Sequence, residues 1–134
     1  MVEAIVSYEG DLHTVAVHGP SGARIATDAP KDNHGKGEAF SPTDLVGAAL
    51  ASCTLTLMGI VAARRGVDMK GARCRVVKEM TATPERRIGA LSMVLDMPPG
   101  IPVEFHAPLT AAAEGCPVKK SLHPDVQVTL TINW

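Results

Sequence analysis

The chain has 134 residues, of which 46% are hydrophobic, 20% charged and only 3% aromatic, and its formal charge is −1. Near-neutrality gives no electrostatic reason to bind nucleic acid or an anionic membrane, and so few aromatics leave little to stack on bases. What remains is small-molecule chemistry or protein–protein assembly by one domain over residues 1–134, a size that buries roughly 65–70% of the unfolded chain's surface.

The opening "MVEAIVSYEGDLHTV" has no basic start and no continuous apolar run, so no secretory leader is expected. Cys53, Cys74 and Cys116 are odd in number and widely spread, which points away from a secreted disulfide framework and toward a reducing, cytoplasmic setting. No Cys/His spacing of the zinc type occurs, and His13, His18, His34, His106 and His123 stand isolated, so they read as surface or loop residues. No metal and no cofactor is expected.

In chain order, residues 2–30 read as short strands with turns at Glu9-Gly10-Asp11 and at Gly19-Pro20-Ser21-Gly22, alternation being clear in "LHTVAVH" and "ARIAT". A Gly-rich charged loop, "KDNHGKGEAF", leads into a helix predicted over about 42–65. Two strands joined near Thr83-Pro84-Glu85 follow, then a helix in "EFHAPLTAAAEG" ending at Gly115, a short helix in "CPVKKSLH" and a closing strand in "VQVTLTINW". Hairpins mixed with helices, without regular strand–helix alternation, define an α+β class.

The predicted long helix carries nineteen residues, Leu45 to Ala63, without a charge. Ser41 is placed to cap it, Pro42 suits its first position, Asp44 completes a capping-box pattern, and Arg64, Arg65 and Gly66 mark its end. Its length permits a membrane span, but Ser52, Thr54, Thr56, two glycines and many alanines fit a buried core helix better. Apolar all round implies buried all round, and one chain of this size has little with which to wrap it. A second copy is therefore expected to complete the cover, giving an intertwined homodimer with no membrane contact.

The helical neighbours of Cys53 are Val46, Ala49, Leu50, Thr56, Leu57 and Ile60, an apolar face on which desolvation raises a thiol's pKa. Alone, Cys53 fits a small core hydrophobe, and reactivity there requires a cation or donor from elsewhere. Cys116, between Gly115 and Pro117, is placed to cap the next helix, where free N–H groups, Lys119 and Lys120 favour a thiolate; a functional and a purely structural thiol are both open. Cys74 alternates with Ala72 and Val76 and reads as core. Two such thiols, if they meet, suffice for peroxide reduction: one becomes a sulfenic acid and the other condenses with it to a disulfide.

"SPTDLVGAALASCTLTLMGI" resembles the central-helix signature of the OsmC/Ohr superfamily, and "AAEGCPVKKSLHPDVQVTLTI" is similar to that family's second cysteine segment. The resemblance implies an intertwined dimer with two long central helices flanked by mixed β-sheets. It also implies thiol-dependent reduction of hydrogen peroxide or organic hydroperoxides, with a dithiol reductant delivered in some members by a lipoyl-bearing protein. Cys53 matches the peroxide-attacking cysteine and Cys116 the resolving one. The chain departs from the pattern at Thr43, where members carry an acid that holds an activating arginine; Asp44 lies one position on, and Arg24, Lys36 and His34 are the remaining candidates for the cation. That departure leaves two alternatives to a peroxidase, a non-catalytic dimer binding a small ligand or partner, and a slow redox sensor.

Overall fold

A computed structural model describes residues 1–134, whose contacts fall into two compact units, residues 1–46 and 47–134. In the first, strands β1 (Ala4–Gly10), β2 (His13–His18) and β3 (Arg24–Asp28) form an antiparallel sheet in that order. The first turn lies one residue later than the sequence predicts: Gly10 pairs with His13, leaving Asp11 and Leu12 as a two-residue loop, both at positive φ (51° and 59°). That is the backbone hand which continues the right-handed strand twist across a tight hairpin. The second turn is closed by Gly22, at φ 69°, whose N–H donates to the His18 carbonyl at 2.8 Å.

At the end of β3 the Asp28 carboxylate is buried and accepts from His13 Nδ1 at 2.5 Å and from the Glu38 N–H at 2.9 Å. The His13 hydrogen bond is the main reason the Asp28 carboxyl sits below its ordinary value. The Asp28 side chain thus helps tie the loop after β3, with a 3-10 turn at Lys31–Asn33, to the sheet, beside backbone bonds from Asp28 N–H to the Phe40 carbonyl (3.1 Å) and from Ala29 N–H to the Leu12 carbonyl (3.1 Å).

Helix α1 (Pro42–Arg64) starts and stops where local chemistry dictates. The Ser41 hydroxyl accepts the Asp44 N–H at 3.1 Å while Asp44 accepts the Ser41 N–H at 2.8 Å, a reciprocal capping box with aspartate in the place of the usual glutamate. At the other end Gly66, at φ 69°, lets Val67 N–H reach the Ala62 carbonyl (2.9 Å) and its own N–H reach Ala63 (3.2 Å). This is the Schellman arrangement, and the left-handed conformation it needs favours glycine at that point. The helix is long and apolar enough to cross a membrane by length and composition, yet one stripe, Gly47, Leu50, Ala51, Thr54, Met58 and Ala62, is buried within the chain.

In the second unit β4 (Arg73–Thr81) pairs antiparallel with β5 (Arg87–Asp96), and β5 pairs parallel with β6 (Gln127–Asn133). Alternate residues of β5, Leu91, Met93 and Leu95, are buried and stand in register with Val128, Leu130 and Ile132. Parallel strands need a crossover. Here it is residues 97–126, which carry α2 (His106–Glu114) and the short α3 (Pro117–Ser121). The start of α2 is fixed by His106, which stacks on Trp134 at 3.9 Å and reaches the Ile101 carbonyl at 3.1 Å. Leu109 and Ala113 of α2 join the core.

Helix α1 meets the sheet closely at Gly47, where a Cβ would lie 3.5 Å from Leu91 Cδ2 and 3.6 Å from Val76 Cγ2. Those are ordinary contact distances, so Gly47→Ala is expected to fit and to raise stability by about 0.5–1 kcal/mol through the helix-interior preference for alanine. Denaturant unfolding of the two proteins checks this, a lowered midpoint being the contrary result.

Candidate active site

The second unit brings Cys53 and Cys116 together, although 62 residues separate them in the chain (residues 54–115). Cys53 projects from the middle of α1 at the border of its buried stripe and is partly exposed, whereas Cys116 is fully buried. Both thiols are free, and each lies within hydrogen-bonding reach of the other.

Cys116 gains its place from the chain around it. Gly115 ends α2, its N–H donating to the Ala111 and Ala112 carbonyls at 3.2 and 3.1 Å, with an ordinary φ of −76° rather than a left-handed one. Pro117 then opens α3 at its first position, as the sequence predicts, and Cys116 stands at the cap. Its sulfur completes no full cap bond, but the Val118 and Lys119 amides are turned toward it.

The two thiols are pushed in opposite directions. Burial raises Cys53, and its neighbour Cys116 raises it further, against a lesser opposing effect of the Val118 amide. Burial also acts to raise Cys116, but donors outweigh it: the Cys53 thiol, the Lys119 amide, the Thr54 hydroxyl and the Val118 amide hold it below the ordinary thiol value. The Val118 N–H therefore serves both sulfurs. Such a pair titrates as a unit, and the imbalance of donors favours ionisation at Cys116 over Cys53.

Of the side chains expected to add positive charge, Lys119 and Lys36 have other partners. Lys119 makes an ion pair with Glu114, one turn behind it on α2, so its ammonium is partly neutralised. Lys36 lies 3.7 Å from Asp11, Arg24 is exposed on β3 opposite Val17, and Asp44 caps α1; all three belong to the first unit, the thiol pair to the second. His34 sits at positive φ (65°) after the 3-10 turn. Cys74 faces inward on β4 with Val76 while Arg73 and Arg75 are exposed, but it is only partly buried rather than sealed in the core. Burial raises its thiol. No three His, Cys, Asp or Glu side chains are grouped closely enough to hold a metal ion.

Sequence reasoning missed Thr54. Its hydroxyl is fully buried on α1 and has no partner of proper hydrogen-bond geometry, while it lies beside the Cys116 sulfur. The missed signal was a hydroxyl inside the uncharged run, adjacent to the cysteine.

An α+β chain whose long apolar helix presents one thiol to a second, buried thiol at a helix cap is the class that this fold and site define. The OsmC-like protein family model matches residues 35–131. Among solved structures, a candidate osmotic-stress-induced and detoxification response protein from Psychrobacter arcticus 273-4 is 42% identical, with a TM-score of 0.93 over 99% of this chain and 96% of that one. An organic hydroperoxide resistance protein OsmC from Legionella pneumophila shares the fold at 19% identity, TM-score 0.78, covering 100% of this chain and 97% of that one. The organic hydroperoxide resistance protein OhrB of Bacillus subtilis does so at 16% identity, TM-score 0.69, covering 99% and 98%. Comparison with curated proteins gives no match. The chain belongs to the OsmC family.

In a Cys116→Ser variant the ionisable neighbour that raises Cys53 is gone, a serine hydroxyl staying neutral. Cys53 is then expected to titrate at lower pH than in the unaltered protein, read from the pH dependence of its alkylation followed by peptide mass spectrometry. An unmoved profile would mean that the two sulfurs do not interact.

Proposed function

We propose that this protein is a thiol-dependent peroxidase of oxidative-stress defence, reducing hydrogen peroxide or organic hydroperoxides. The observation that carries the reading is the pairing of a partly exposed thiol, Cys53, with a buried thiol, Cys116, whose donors favour its ionisation. Family membership supports it, as do fold relatives described as organic hydroperoxide resistance proteins.

Chemistry divides between the two sulfurs according to access. A peroxide reaches Cys53 but not the sealed Cys116. The Cys116 thiolate takes the Cys53 proton as general base. The Cys53 thiolate then attacks one peroxide oxygen: an S–O bond forms, the O–O bond breaks, and the sulfur loses two electrons to become a sulfenic acid. The departing alkoxide or hydroxide takes the proton from Cys116, leaving as alcohol or water. Cys116, again a thiolate, attacks the Cys53 sulfur and expels hydroxide, which is protonated to water as the disulfide forms. A dithiol reductant, lipoyl-bearing in some settings, returns the pair to two thiols in the cytoplasm. Arg24 and Lys36 remain the candidates to activate Cys53, and Asp44 to orient the activating group.

The working form is a homodimer. On α1 the residues Ala49, Ser52, Thr56, Ile60 and Ala63 form an uncovered, uncharged face opposite the buried stripe. On β1 the side chains of Ile5, Val6 and Tyr8 are likewise exposed. A second copy of the chain is the cover that such surfaces require. Sedimentation at micromolar concentration is expected to give twice the chain mass, and Ile60→Glu is expected to release the monomer.

The raised Cys53 thiol favours a second reading, a slow redox sensor or a dimer that binds without turnover. Peroxide consumption with a dithiol reductant separates them. The unaltered protein is expected to turn over. Cys53→Ser is expected to abolish consumption, about a hundredfold loss or more as for removal of an activated nucleophile. Cys116→Ser is expected to stop after few turnovers with Cys53 over-oxidised to sulfinic acid. Undiminished consumption by the Cys53→Ser protein would remove Cys53 from the role.

A further inference from the structure

The buried hydroxyl of Thr54 is an anomaly for its position. A threonine inside a helix ordinarily satisfies its hydroxyl on the carbonyl four residues back, here Leu50, and buried polar atoms as a rule are paired. Thr54 Oγ1 makes no such bond and is sealed from solvent. Within this unit it lies instead beside the Cys116 sulfur, which is itself fully buried.

We propose that Thr54 is a positioning residue, whose hydroxyl is held in reserve on α1 to donate to the Cys116 sulfur when that sulfur carries negative charge. A neutral thiol is a poor acceptor, and a thiolate is a strong one. The hydrogen bond therefore forms to the charged state and is largely absent in the neutral one, which is the condition for an interaction to favour ionisation selectively. No water competes for the hydroxyl, because neither group is exposed.

The inference rests on the two-thiol reading above, and it assigns Thr54 to the steps in which Cys116 bears charge. One is the base step already described. The other is regeneration. There a dithiol's thiolate bonds to the Cys53 sulfur of the Cys53–Cys116 disulfide, and the S–S bond breaks with its electron pair on Cys116. The second reductant thiol then displaces Cys53, so that the reductant ends as a disulfide and two electrons and two protons have passed to the protein. Leaving-group thiols depart faster as their thiolates are better stabilised. Thr54 is thus set against the sulfur that leaves.

The test begins with a protein in which Cys53 and Cys74 are both serine, so that Cys116 is the one thiol. Its ionisation is followed by ultraviolet thiolate absorbance against pH, with Thr54, Thr54→Val, Thr54→Ala and Thr54→Ser. Valine and alanine are expected to shift the Cys116 titration to higher pH, and serine to restore it. In the protein with all three cysteines, reduction of the preformed disulfide by dithiothreitol is expected to slow by about tenfold in Thr54→Val, the scale of one hydrogen bond to a charged group, and to recover with serine. Because valine removes an unpaired buried hydroxyl, its unfolding midpoint is expected to hold or rise, so slower reduction does not follow from loosened packing. A Cys116 titration that valine and alanine leave in place would overturn the proposal. If the titration moves but the unaltered protein consumes no peroxide, the role of Thr54 stands and the peroxidase reading falls.

Discussion

A helix with no polar face takes its pattern of burial from what packs against it, and the site follows from which side of α1 the chain's own core covers. The chain's own core reaches one stripe of the helix, from Gly47 to Ala62. Thr54 lies inside that stripe and Cys53 at its border. About 100° of helix rotation separates consecutive side chains, so one step along α1 passes from a sealed hydroxyl to a thiol within reach of solvent. The uncharged run that first looks like mere hydrophobic filling is what fixes this difference between adjacent positions.

Burial has opposite net outcomes for the two sulfurs because their donors differ. Desolvation penalises charge on either, but Cys116 receives amides, a hydroxyl and the other thiol, while Cys53 has only the Val118 amide in its favour. The result is a pair in which ease of ionisation and accessibility are separated: the reachable sulfur holds its proton more tightly and the enclosed one less so. A protein with one exposed thiolate would be open to any oxidant.

Much of this was legible in the sequence, where chemistry is local. Ser41, Pro42 and Asp44 declared the start of α1, Gly66 its end, and Gly115-Cys116-Pro117 a cap between two helices, because each depends on residues within one turn. Non-local facts were not. Alternation in residues 127–133 announced a strand but not that it would lie parallel to β5, since side-chain period carries no information about strand direction. Lys119 read as a cation near Cys116, yet its ammonium is engaged by Glu114 from the preceding helix. Cys74 read as core because its strand alternates correctly, whereas the depth of burial depends on what covers the face. Thr54 escaped notice because a helical threonine normally looks after its own hydroxyl, and only coordinates reveal one that does not.

The parallel pairing of β6 with β5 bears on the order of events during synthesis. Cys53 leaves the ribosome long before Cys116, and Cys116 is held in its place by a crossover anchored at its far end by β6, the last strand in the sequence. Until that strand docks, the crossover is an open loop whose closure costs entropy that no local contact repays. The nascent chain therefore carries its thiols apart until β6 has been laid down beside β5.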